Sequence, residues 1–176
     1  MWRRDWLKFL DAASLDRAIA EFTAAGRLDS ADVDLWLELA PLQIERGDLP
    51  AACATVFRAL RLAPGRGDAH LAVAHALYRS GMLPEADSAY RAVLPSLAPS
   101  VRRCFEDISP VASEADTAIL NHLPPSEQPA FIERFWREND PDLSTPVNEA
   151  RLAYWARATQ AYFLFYDRRR REWDER

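Results

Sequence analysis

The stretch Gly47-Asp-Leu49-Pro50-Ala-Ala52 returns 34 residues later as Gly81-Met-Leu83-Pro84-Glu-Ala86, with glycine, leucine, proline and alanine in the same spacing. A period of that length marks a repeat architecture, in which each repeat is one supersecondary unit that buries its apolar face against the next. The same shift aligns Trp2 with Trp36, Ala18 with Ala52 and Ala86, Phe22 with Val56 and Tyr90, and Ala25 with Ala59. Three repeats result, near residues 1–32, 33–66 and 67–100.

Each repeat reads as two helices. Val33, Trp36, Leu37, Ala40 and Ile44 recur at helical spacing, and Gly47 then supplies the left-handed residue that ends a helix. Pro50 and Pro84 sit at the first position of the next helix, where a missing N–H is harmless. Ala52 and Ala86 let a paired helix approach closely, while Phe22 and Tyr90 fill the groove beside it. Pro41 lies inside the first helix of the middle repeat, where it removes one hydrogen bond and should kink the helix at a cost of about 3 kcal/mol.

Composition agrees with helices. The chain has 176 residues, among them 30 Ala and 21 Leu against only 17 Val, Ile and Thr together. The five glycines, at 26, 47, 65, 67 and 81, form neither G-x-G-x-x-G nor G-x-x-x-x-G-K-[ST], so glycine-rich phosphate cradles are excluded. Net charge is −5 and evenly spread, with 13 acids and 11 bases in residues 1–100 and 14 and 11 in the remainder, so neither part is a basic domain built for nucleic acid. Cys53 and Cys104 have neither a C-x-x-C partner nor a neighbouring His and read as reduced, buried thiols. The apolar run Ala161–Tyr166 is far short of the roughly 20 residues that span a bilayer. Met1-Trp-Arg-Arg-Asp-Trp-Leu-Lys8 has charges but no apolar core after them, so it is not a signal peptide. The chain as given is therefore expected in the cytoplasm, and a leader upstream would move it to the cell envelope.

The repeated residues resemble the tetratricopeptide repeat. The middle repeat carries Trp36, Leu39, Ala40, Gly47, Ala52, Ala59 and Pro64 at the family's spacings, and the third keeps Gly81, Ala86 and Tyr90 with His70 in place of the Trp. The first has Ala13 at the turn-glycine position and Asp5 at the usual leucine. The resemblance implies a right-handed α-α superhelix of helical hairpins whose first helices line a concave groove for a peptide or partner helix. Carried over position by position, that groove presents Leu37, Pro41 and Ile44 from the middle repeat and Leu71, His75 and Tyr78 from the third, with Leu7 and Leu10 extending it. It is mainly apolar, which suits a hydrophobic helix or extended segment. The Lys and Asn with which related repeats clamp a C-terminal carboxylate are replaced here by Leu37, Pro41, Leu71 and His75.

After Pro99 the register ends. Residues 113–123 form a short helix stopped by Pro124-Pro125, and Ser126 caps a second helix with Phe131, Ile132, Phe135 and Trp136 on one side. Asn139-Asp-Pro-Asp142 breaks it, and Thr145-Pro146 opens a long helix running to about Trp173, with Leu152, Trp155, Thr159, Tyr162, Phe163 and Tyr166 as a broad buried face. Phe105-Glu-Asp-Ile108, Leu123-Pro-Pro125, Phe131-Ile-Glu-Arg-Phe-Trp-Arg137, Asn139-Asp-Pro-Asp142, Thr145-Pro-Val-Asn-Glu149 and Trp173-Asp174 together resemble the opening part of the GWxTD domain, a bacterial module often found after tetratricopeptide repeats. The expected organisation is a repeat array over 1–100 and a helical GWxTD-like part over 101–176, stopping at the module's own signature.

Candidate chemistry is sparse. Asp140, Asp142, Asn148 and Glu149 gather oxygen ligands, although a helix break and a helix first turn want the same residues. His70, His75 and His122 lack metal-site spacing. Arg168-Arg-Arg-Arg171 is interspersed with acids and reads as a solvated helix end. The expectation is thus an all-α, non-enzymatic protein-interaction scaffold that takes a partner's peptide or helix in its groove, with no cofactor, no metal and no nucleic acid. Two alternatives stand beside it: the substrate-capture part of an enzyme whose active region lies beyond residue 176, and an architectural homo-oligomer whose C-terminal helices fill the groove.

Overall fold

The computed structural model describes residues 12–167 and 172–173, and these are overwhelmingly helical. Two compact bodies, Met1–Gly81 and Met82–Arg176, make up the chain.

In the first body α1 spans Ala12–Leu28, α2 Val33–Arg46, α3 Leu49–Leu62 and α4 Gly67–Arg79. The local signals explain these bounds. Asp32 and Asp48 each accept a backbone N–H of the helix they precede, and satisfy part of its unpaired first turn. Gly47 is left-handed at φ 86°, which brings the Asp48 N–H onto the Gln43 carbonyl at 2.9 Å and closes α2. Gly81 repeats the conformation at φ 78°. Pro50 falls at the second rather than the first position of α3, where its nitrogen still has no helical partner to lose. Pro41 sits within α2, which runs unbroken through it. In the first repeat, Ala13 replaces the turn glycine, and the chain there is already helical from Ala12. Helix α1 thus already includes the position expected to turn, and the first helix expected for this repeat lies outside the described residues.

Small residues bring these helices together. Ile44, Ala52 and Ala76 form a buried cluster joining α2, α3 and α4, with Leu49 and Cys53 against it. The fully buried Val56 and Ala59 continue the α3 face. Gly26 of α1 serves a different purpose: a methyl group there would lie 2.3 Å from the Trp36 ring. That ring is pinned from other sides, because its Nε1 donates to the Ser30 carbonyl at 3.2 Å and the Arg58 guanidinium stands 4.1 Å from its centre.

Gly26→Ala sets two effects against each other. Helix propensity favours alanine by about 1 kcal/mol, while overpacking a fixed ring costs about 1–3 kcal/mol. With the indole held on three sides the clash wins, and denaturant unfolding should show a net loss of about 1–2 kcal/mol. In a Trp36→Leu background the same substitution should become neutral or stabilising.

The second body contains α5 (Leu83–Val93), a 3-10 turn at Leu94–Ser96, α6 (Pro99–Glu106), α7 (Glu114–His122), α8 (Gln128–Glu138), α9 (Glu149–Phe165) and the short antiparallel pair β1 (Tyr166–Asp167) and β2 (Glu172–Trp173). The division at Gly81 departs from the expected boundary at 100. Its cause is α5, which packs on α9: the buried Tyr90 ring lies 5.7 Å from that of Trp155, and its hydroxyl is 3.1 Å from Thr159 Oγ1.

Three expectations for the C-terminal part change. Ser126 does not cap α8; it lies in a turn closed by the Glu127 N–H on the Pro124 carbonyl, and the helix opens at Gln128. Thr145-Pro146 does not open α9, because Asn148 caps it by accepting the Arg151 N–H at 2.8 Å. Nor does α9 reach Trp173. It ends at Phe165, where Tyr166 stacks on Tyr162 at 4.9 Å and pairs across to Trp173. The expected buried face of Leu152, Trp155, Thr159, Tyr162, Phe163 and Tyr166 is buried throughout.

Candidate functional site

The face assigned to partner binding is built by α2 and α4, which pack against each other within the first body. Corresponding positions lie 34 residues apart, so Leu37 matches Leu71, Pro41 matches His75 and Ile44 matches Tyr78. Ion pairs accompany this register, one within the middle repeat and one between it and the third. Arg66 reaches Asp34 at 2.7 Å, and Arg79 reaches Glu45 and the Ile44 carbonyl, both at 3.3 Å. The partly exposed Arg66–Asp34 pair is worth only ~0–1 kcal/mol, whereas the Glu45 carboxylate of the other pair is enclosed, with its side chain 7% exposed.

Exposure divides the predicted residues. Leu37, Ile44, Leu71 and His75 are buried, and Pro41 and Tyr78 are half-buried. Leu7 and Leu10 lie outside the described residues. The first four are enclosed by the chain's own residues, so among the described members of the nominated set Pro41 and Tyr78 are the ones that meet solvent. One residue of this region escaped the sequence reading. Gln43 is buried and its Oε1 has no hydrogen-bond partner among the described residues. Its position seven after Trp36 and three after Ala40, on the apolar side of α2, was the available signal.

His75 is the unusual group here. It is 5% exposed, and its Nδ1 lacks a hydrogen-bond partner among the described residues. Burial, reinforced by the Arg79 charge one turn later, lowers its pKa from 6.5 to about 4. The ring is therefore a neutral imidazole at physiological pH.

The oxygen ligands of the second body are already engaged. Asn148 Oδ1 caps α9 while its Nδ2 donates to the Trp136 carbonyl. Asp142 accepts from both the N–H and the hydroxyl of Ser144, which holds its carboxyl below the usual range. Asp140 accepts the Asp142 N–H, and Glu149 accepts the Thr145 hydroxyl at 2.5 Å. Turn and cap geometry thus engages each of these residues, although Glu149 Oε2 is buried with no hydrogen-bond partner among the described residues. Among the described residues no three His, Cys, Asp or Glu side chains gather as a metal-binding group. Cys53 and Cys104 are free thiols, half-buried rather than buried as the sequence suggested. Cys104 donates to the Ser100 carbonyl, and burial raises its pKa, which opposes the reactive thiolate. His70 and His122 bond the Pro64 and Ala118 carbonyls, far from a shared centre in sequence. Tyr154 is held by the Cys104 and Asp107 carbonyls, and burial raises its pKa, so the phenol stays protonated. The Arg168–Arg171 run lies outside the described residues. Among the described residues no helix is long and apolar enough to cross a membrane.

No family model, curated protein or solved structure matches this chain. The two family resemblances rest on the quoted residues alone.

Proposed function

We propose that this chain is a non-catalytic protein-interaction scaffold of tetratricopeptide-like hairpins, which takes a peptide or helix of a partner protein on the face formed by α2 and α4. The observation that carries this reading is the side-by-side packing of these helices with equivalent positions 34 residues apart. Two helices packed in this way give a partner segment a continuous direction to follow, as helix-in-groove recognition requires. Pro41 and Tyr78 are its accessible members, and Tyr78 has the amphipathic ring that interface anchors favour.

The test follows from burial. A charge at Leu37 or Leu71 would be forced into an enclosed apolar position and would unfold the body before it reported on binding. Tyr78→Ser is the better variant. With helix content unchanged by circular dichroism, its affinity for a partner that binds the intact chain should fall about tenfold, the loss of a modest anchor. Equal affinity in titration calorimetry rejects the α2–α4 face.

One observation favours the architectural alternative. Because Leu37, Ile44, Leu71 and His75 are enclosed within the chain, an α2–α4 groove would be filled before any partner arrives. A homo-oligomer in sedimentation equilibrium, together with no effect of Tyr78→Ser on any partner, would support that reading.

A further inference from the structure

From residue 104 to residue 133 the sequence holds Glu106, Asp107, Glu114, Asp116, Glu127 and Glu133 and not one Arg or Lys. Six acids elsewhere, Asp16, Asp34, Glu45, Asp68, Asp87 and Glu138, each pair with an Arg. Within the stretch, Glu106 pairs with Arg102 and Glu133 with Arg151. Asp107, Glu114, Asp116 and Glu127 form no ion pair among the described residues, so four carboxylates remain uncompensated on one segment.

That segment contains α7, whose faces divide cleanly. Leu120 is buried, with Asp116 and Thr117 half-buried beside it. Ala115, Ala118, Ile119 and His122, at i, i+3, i+4 and i+7, are all exposed, and Ile119 is 47% exposed. At 100° per residue these four share one side of the helix, with Glu114 on one flank and Asp116 on the other. The two alanines leave room for a helix to lie close, Ile119 supplies an apolar knob, and carboxylates border both edges. His122 does not offset them as a projecting base, because its Nδ1 turns back to the Ala118 carbonyl at 2.7 Å. The face is firmly presented: Ser113 caps α7 and its hydroxyl bonds Asp116, while Pro124-Pro125 stop the helix.

We propose that the exposed face of α7 is a docking surface for a basic amphipathic helix of another protein, whose apolar stripe lies over Ala115, Ala118 and Ile119 and whose Lys or Arg residues meet Glu114 and Asp116 on its two flanks. A second copy of this chain is a poorer occupant, since it carries the same net charge of −5 and its α7 has the same acidic border. This surface belongs to the second body and stands independently of the α2–α4 reading.

The test uses the full chain and a synthetic helix of about 20 residues, long enough to be helical in water, with a Leu stripe bordered by Lys. A scrambled peptide of identical composition is the control. Fluorescence anisotropy should show binding that weakens with salt, and the scrambled peptide should bind at least tenfold more weakly. Ile119→Ser, with helix content and melting temperature matched to the wild type by circular dichroism, should lose about tenfold in affinity at every salt concentration. Glu114→Gln should lose affinity at low salt and approach the wild type at high salt, where exposed charges are screened. Asp116 is left intact because it belongs to the helix cap. No measurable binding, equal binding of the scrambled peptide, or unchanged affinity of Ile119→Ser overturns the proposal. So does self-association of the chain that Ile119→Ser abolishes, since a second copy would then be the occupant.

Discussion

Lowering the pH from 8 to 4 is expected to cost the first body about 3 kcal/mol through His75 alone. An unfolded histidine titrates near 6.5, whereas burial holds His75 near about 4 in the folded chain. Between those values the unfolded chain takes up a proton that the folded chain refuses, so falling pH favours unfolding. The stability is fully present above pH 6.5, declines as pH falls through that value, and levels off below 4. At pH 5 the loss is about 2 kcal/mol, since each unit of difference corresponds to about 1.4 kcal/mol. Carboxylates titrate in the same range, so the informative quantity is the difference between the wild type and His75→Gln, in which the other groups cancel. Hydrogen exchange of the α4 amides, measured for both proteins from pH 8 to pH 4.5, reads the first body directly. A wild-type advantage at pH 8 that shrinks by about 2 kcal/mol or more by pH 4.5 is the expected result. Parallel curves would mean that His75 takes its proton freely and is not enclosed as described.

His75 also shows where sequence reading stops. Its place on the groove side of α4 follows from the 34-residue register, but the register carries no information about what lies over that face. Burial is a property of the whole packed chain, and a single histidine among alanines looks alike whether it is open or enclosed. The local signals were far more legible. Gly47 and Gly81 turn left-handed as the repeat required, because that conformation strains any residue with a Cβ, and Ala52 and Ala86 are fully buried where close helix contact needs them. Helix starts misled at Ser126 and Thr145, where several capping residues compete within three or four positions and tertiary bonds select among them. Asn148 won because its amide also reaches the Trp136 carbonyl. The Gly26–Trp36 contact was invisible for another reason: a glycine within a helix announces a close approach but not its partner.

The division of the chain at Gly81 rests on Tyr90, and the largest single effect is expected there. The sequence assigned Tyr90 to the groove of its own repeat, whereas its ring packs on Trp155 and its hydroxyl bonds Thr159 within the second body. Fully buried, it should lose about 3–5 kcal/mol as Tyr90→Ala, from the transfer of the ring and the cavity left behind. Tyr90→Phe keeps the ring and removes the neutral hydrogen bond with Thr159, for which about 1 kcal/mol is expected. Either value alone would fit any buried tyrosine. The cycle with Trp155→Ala is more specific, because a true ring contact should leave a coupling of about 0.5–1.5 kcal/mol between the two truncations. Urea unfolding of the four proteins supplies it. Additive losses would mean that the rings are merely both buried, and α5 would then lose its main claim to the second body. A coupling in the expected range would tie α5 to α9 through these two rings, within the second body.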